Sequence, residues 1–288
     1  MEYVLLVLSP LLVSIKTLTQ GRFTKHNYPT VKQSFFFVSV FSLIAAIILG
    51  AIYARGLPSL NTLIFGLIMG IATSLFQVIY LAAFKRGPIS ISGTIISLSI
   101  LLPTIYGLTF LNESITASKI IGIILTISSL IVLNINKKTE KINILYLILI
   151  FIAFILSGSI NILQSAFNCL DISNERNYLL FISYLTSFVF SLILAFVCKP
   201  KEKLNYKFDL INLFYPILIG ILLAVQNILL MYLLTIFDAS IYFPVSSALN
   251  IVFLTISTII LFKEKIKTTQ IIGIVLAIIS VIIINVTF

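Results

Sequence analysis

Residues Lys119 to Asn134 read KIIGIILTISSLIVLN, and Gln270 to Asn285, 151 positions later, read QIIGIVLAIISVIIIN. Nine of the sixteen positions are identical, among them Gly122/Gly273, Ser129/Ser280 and Asn134/Asn285. An apolar segment that returns at about half the chain length marks a duplicated unit. The rest of the sequence divides accordingly: a first unit over residues 1–135, a linker NKKTEK at 136–141, and a second unit over 142–288.

The chain of 288 residues is 60% hydrophobic and only 10% charged, far too apolar for one water-soluble core. Apolar runs of eighteen or more residues recur with short polar breaks between them. That pattern predicts an all-α polytopic membrane protein. A membrane β-barrel would instead alternate polar and apolar residues over about ten positions, and these runs do not.

Nineteen Lys and Arg against nine Asp and Glu give a net charge of +10, but the cations lie almost wholly in the polar breaks. There they act as orientation signals and headgroup contacts, so the charge predicts a bilayer partner and no nucleic acid. Cys169 and Cys198 stand alone, without metal-ligand spacing, and His26 is the single histidine. No metal, cofactor or catalytic triad is predicted from them. Without Trp, interfacial aromatics must come from Tyr, and Tyr3, Tyr53, Tyr146, Tyr178, Tyr215 and Tyr242 lie near the ends of apolar runs. The N-terminus lacks a basic leader and a small-residue cleavage site, so it reads as a retained first helix.

Ten spans are predicted: Glu2 to Thr17, Gln33 to Tyr53, Leu60 to Ala83, Ile89 to Leu111, Ser118 to Ile135, Ile142 to Asn168, Tyr178 to Val197, Leu210 to Ile236, Ala239 to Phe262 and Thr268 to Val286. Five precede the linker and five follow it. An odd number per unit makes the second copy enter the membrane from the opposite side, giving two inverted five-helix repeats. Such repeats place a binding site at the midplane, between halves that can rock against each other.

The fourth span of each half runs into an acidic turn, Glu113 in FLNESIT and Glu264 in LFKEKIKT, at the same 151-residue offset. A carboxylate there is favoured by the following helix N-terminus, which accounts for both residues without substrate chemistry. A Pro-containing helix leading into E-x-[IL]-[TK] and then x-x-x-x-I-G-I-x-L resembles the EamA type of the drug/metabolite transporter superfamily. The resemblance covers essentially the whole chain, most sharply Gly87 to Asn134 and Ala239 to Asn285. It implies a transporter with a central cavity and leaves the cargo open, since relatives carry amino acids, other metabolites, choline, nucleotide sugars or drugs.

Inside hydrocarbon a polar side chain must face protein, water or a ligand. Ser157, Asn161, Gln164 and Asn168 in the sixth span follow i, i+4, i+7, i+11 and share one helix face. They fit either a cavity lining or interhelical hydrogen bonding. Further mid-span amides are Gln77, Gln226, Asn227 and Asn250, and Ser90, Thr94, Ser97 and Thr104 form a weaker stripe. Gly66, Gly70 and Ser74 make a small-residue face suited to close packing. No Asp or Glu occupies the middle of a span, unlike the carboxylate in the first helix of the small multidrug exporters. Lys16 is there instead, near the predicted end of the helix, where it either snorkels to the interface or meets an anionic group at the cavity mouth. The candidate substrate-binding set is therefore Lys16, Gln77, Ser97, Asn161, Gln164, Gln226, Asn227 and Asn250.

With Lys16 and Lys119 counted at the span ends they adjoin, sixteen Lys and Arg lie on the side of the breaks after odd-numbered spans and three on the side of those after even-numbered ones. By the positive-inside rule the first set is cytoplasmic, which puts both termini outside, against the usual habit of the resembled family. The composition, rich in Ile, Lys and Asn, suits a bacterial plasma membrane. The sequence thus predicts a monomeric or homodimeric secondary transporter of a small polar metabolite, amino acids or related zwitterions foremost, with export favoured. A lipid-flippase-like protein or membrane scaffold and an exporter of small organic cations are the alternatives. A membrane enzyme is disfavoured, because no cluster of His and carboxylates shares one depth.

Overall fold

A backbone in hydrocarbon must satisfy its own N–H and C=O groups, and the helix does so within one segment. A computed structural model of the protein describes residues 2–27, 29–53, 58–87, 89–111, 116–134, 144–170, 173–198, 210–262 and 268–285. Every regular element among them is helical: α1 (Glu2–Asn27), α2 (Val31–Tyr53), α3 (Leu60–Arg86), α4 (Ile89–Leu98), α5 (Leu101–Phe110), α6 (Ala117–Asn134), α7 (Ile144–Asn168), α8 (Arg176–Val197), α9 (Leu210–Leu233), α10 (Ala239–Phe262) and α11 (Thr268–Asn285), with a 3-10 turn at Ser173–Glu175. Six of these, α1, α2, α3, α7, α8 and α9, are long and apolar enough to cross a membrane, and shorter apolar stretches run across α4 and α5, in α6 and in α10. The linker at 136–141, Glu113 and Glu264 lie outside the described residues.

Two boundaries depart from the sequence reading. α1 continues to Asn27, ten residues beyond the predicted end at Thr17. The extension looks like a loop because it is polar, yet its hydroxyls fold back on the helix: Thr17 bonds the carbonyl of Val13, Thr19 that of Ile15 and Thr24 that of Gln20. Lys16 is consequently a mid-helix residue, fourteen positions from Glu2 and eleven from Asn27, and not one near a helix end.

The predicted fourth span is broken at Ser99 and Ile100, which separate α4 from α5. Pro103 has no N–H, and its ring crowds the carbonyl four residues back, that of Ser99. The chain responds with tighter bonds, Ser99 N to Ile96 O and Leu102 N to Ser99 O.

α2 packs on α8, α6 on α11, α3 on both α7 and α8, and α9 on both α1 and α2, while α10 lies against α1. Lipid tails are as apolar as leucine, so close approach and interhelical hydrogen bonds hold these pairs together. A Cβ on Gly220 of α9 would lie 2.7 Å from the carbonyl oxygen of Phe41 in α2, and one on Gly70 of α3 would strike the carbonyl of Ser183 in α8. Beside these contacts Ser42 meets Ser187 at 3.0 Å and Ser74 meets Ser191 at 2.6 Å. The small-residue face of Gly66, Gly70 and Ser74 thus packs on α8. Large apolar side chains such as Ile47, Ile68, Phe151 and Phe196 point outward, as a lipid-facing surface requires.

Candidate functional site

Between α1, α3, α4, α7, α9 and α10 lies a cavity of about 150 Å³. A cavity of that size holds a ligand of about benzene size. It meets Lys16 on α1 and Gln77 on α3 near the middle of their helices, and the α4–α5 break borders it at Ser99 and Ile100. The break matters locally: Ser99 donates to Ser157 of α7 at 2.9 Å, tying the interrupted span to the amide-bearing helix.

All eight candidate residues, Lys16, Gln77, Ser97, Asn161, Gln164, Gln226, Asn227 and Asn250, line this cavity. Their bonding states differ. Gln164 Nε2 donates to Asn227 Oδ1 at 2.9 Å, and Asn227 Nδ2 donates to the Tyr184 hydroxyl at 2.6 Å. Gln77 Oε1 accepts from Nε2 of Gln20, a fully buried residue of the polar α1 extension. Asn250 Nδ2 donates to Ser97 Oγ at 3.2 Å, joining α10 to α4, while its Oδ1 is buried without a partner among the described residues.

Two members are bare. The Asn161 side-chain amide and the Lys16 ammonium line the cavity and make no hydrogen bond or ion pair to any described residue. Among the described residues Lys16 is the single charged one in the lining, and no Asp or Glu faces it there. The ammonium meets the cavity eleven residues before the end of α1. Of the α7 stripe, Ser157, Asn161 and Gln164 reach the cavity; Asn168 lies beyond it and donates to the carbonyl of Met231 at 3.5 Å. In the weaker stripe Ser97 lines the cavity and Thr104 bonds the carbonyl of Ile100; the side chains of Ser90 and Thr94 lie outside the described residues.

Sequence reasoning missed the aromatic part of the wall. Tyr80, Tyr184 and Tyr242 line the cavity, and Tyr242, expected in an interfacial belt, is buried with its hydroxyl 2.9 Å from Ser9 Oγ. Tyr146 likewise turns inward, to Ser92. Helical phase carries the missing signal: Tyr242, Ser246 and Asn250 are four apart, as are Thr73 and Gln77, with Tyr80 three further on.

An all-helical membrane bundle with a polar central cavity narrows the kinds of protein this can be, and the family comparison decides among them. Residues 1–135 and 144–286 match the EamA-like transporter family. The chain belongs to that family. It is therefore a multi-pass membrane protein of the drug/metabolite transporter superfamily, a group of transporters and not enzymes. Among solved structures, 29 chains resemble this EamA-like protein. One, titled only "Crystal structure of protein", is 14% identical, covers 98% of this chain and 95% of its own, and superposes with a TM-score of 0.74. At that identity the likeness speaks for the fold alone. No curated protein matches the chain.

Proposed function

We propose that the protein is a secondary transporter that carries a small polar metabolite, an amino acid or related zwitterion foremost, across a bacterial plasma membrane by alternating access. The observation that carries the proposal is the bare Asn161 amide and Lys16 ammonium facing a central cavity whose other amides are bonded to one another or to Gln20, Tyr184 and Ser97. A carboxylate fits Lys16, an ammonium fits the unpartnered Asn250 Oδ1, and ring faces of Phe76, Tyr80 and Phe243 suit the remaining side chain. Export is the favoured direction, by resemblance to the family's bacterial members.

In this reading α4 and α5 form one interrupted span, which makes ten spans in two inverted five-span repeats. The helix contacts support it. If the first five spans correspond in order to the last five, α3 on α7 exchanges with α9 on α1, α3 on α8 with α9 on α2, and α2 on α8 and α6 on α11 map onto themselves. The Lys/Arg bias places both termini outside the cytoplasm. An impermeant thiol reagent on intact cells labels a cysteine placed at Ser173 and spares one at Lys201 if so; the opposite pattern reverses the orientation.

A thermal-shift screen of detergent-purified protein against amino acids, organic cations, sugars and phosphate esters tests the cargo class. A ligand that binds the native state raises Tm by mass action. Stabilisation by amino acids, lost in Asn161→Ala, is the expected result. Stabilisation by organic cations alone would replace it with a cation exporter, and no shift for any soluble compound would point to a lipid cargo or a scaffold.

A further inference from the structure

We propose that Lys16 couples transport to protons, so that each cargo carboxylate moves together with one proton in the same direction. The inference rests on the transporter reading above and adds its coupling.

The argument begins with charge. Lys16 occupies the middle of α1, lines the cavity and has no carboxylate partner among the described residues. Among the described residues, the other elements packed on α1 bring no charge to the lining. α3 offers Tyr80 and α10 offers Tyr242, while α4 and α9 contribute only uncharged groups; Tyr184 of α8 completes the titratable set. An ammonium enclosed without a counter-ion costs several kcal/mol in a protein interior. When the empty carrier closes around its cavity, the form with neutral Lys16 is the one that crosses.

A bound carboxylate reverses the balance, because it pairs with the ammonium. The loaded carrier closes as an ion pair, with one proton on Nζ taken from water on the loading side. After reorientation the cargo leaves, the unpaired ammonium returns its proton to water on the other side, and the neutral amine goes back. No other reactant is needed. Cargo and proton load cooperatively, the opposite of a carboxylate site where a proton and a cationic cargo compete. Direction follows the sum of the two gradients, so export requires an outward cargo gradient larger than the opposing proton gradient. A simple carboxylate moves with no net charge and a zwitterion with one positive charge.

The test is calorimetric titration of the purified full-length protein with L-alanine, L-phenylalanine and benzoate, in two buffers of different ionisation heat. At pH 9 wild-type binding should take up close to one proton more per carboxylate than Lys16→Arg binding does, the α-amines of the two amino acids contributing equally to both, and benzoate affinity should fall about tenfold per pH unit on the alkaline side. Lys16→Arg, whose guanidinium stays protonated, should still bind, with no proton uptake and a flat pH profile for benzoate. Lys16→Gln should weaken all three probes at least tenfold while sparing benzamide, the neutral isostere of benzoate. Wild-type binding with no more proton uptake than Lys16→Arg binding would overturn the coupling and leave the transporter reading standing. Failure of the wild-type to bind any of the three would overturn both.

Discussion

Gln164 Nε2 donates to Asn227 Oδ1 at 2.9 Å, and this bond ties α7 to α9 across the wall of the central cavity. Asn161, one turn earlier on the same face of α7, makes no such bond and presents its amide to the cavity. Two amides on one stripe therefore have different work, one structural and one open to a ligand.

That division predicts opposite mutational signatures. Gln164→Leu should lower unfolding stability by about 0.6–1.7 kcal/mol, from the average to the maximum found for interhelical hydrogen bonds in a membrane protein. Because it also leaves the Asn227 carbonyl unpaired, the Gln164→Leu/Asn227→Leu double mutant should show non-additive losses in a denaturant titration. Additive losses would mean that the two amides do not depend on each other.

Asn161→Ala should leave Tm within a few degrees of wild-type, since no bond in the protein is lost, while cargo affinity falls about tenfold, the worth of one hydrogen bond to a charged or polar ligand. Unfolding and ligand titration of the same preparation check both halves of the statement.

The helix interfaces make a second kind of prediction. At Gly220 a Cβ would meet the Phe41 carbonyl at 2.7 Å, and a backbone oxygen cannot swing aside. At Gly93 the nearest atom is the Leu254 Cδ1 at 3.3 Å, the end of a side chain that can move. Gly220→Ala should cost about 1–3 kcal/mol and Gly93→Ala much less. Equal costs would show that the α2–α9 contact is not set by backbone approach.

Outside the membrane-spanning helices, Glu175 precedes α8 and accepts from Thr62 Oγ1, Ser59 N and Ser59 Oγ at the start of α3. These donors, Thr62 foremost, hold its carboxyl below the ordinary value of 4.5. A depressed native value contributes stability above the unfolded value and loses it as pH falls through the native one. The stability difference between wild-type and Glu175→Gln should thus be present at neutral pH and shrink as pH drops below about 4.5, as read from paired thermal melts. A difference that grows on acidification would contradict the sign.

Much of this arrangement is legible in the sequence because a polar side chain within an apolar run has few places to go. Gln77, Asn161, Gln226 and Asn250 stand out by that contrast, and the structure gathers them around one cavity. Contrast fails where the surroundings are already polar: Gln20, fully buried on Gln77, hides in the stretch from Thr17 to Lys25 that reads as a loop. Tyrosines are ambiguous for a related reason. Their amphipathic rings suit both an interface and a cavity wall, so only helical phase separates Tyr242 from Tyr3, which is 64% exposed. Nor does spacing reveal which amides are bonded. Gln164 and Asn161 are equivalent in the pattern and differ only because Asn227 lies opposite one of them.

The claim that this cavity carries cargo is tested most directly by counterflow in proteoliposomes. Vesicles bearing the wild-type protein and preloaded with an unlabelled amino acid mixture should transiently accumulate external radiolabelled amino acid. Asn161→Ala and Lys16→Gln, reconstituted at equal density and assayed with label well below the wild-type Kd, should accumulate several-fold less. Counterflow undiminished in both variants would contradict the account, because cargo would then cross by a route that avoids the cavity.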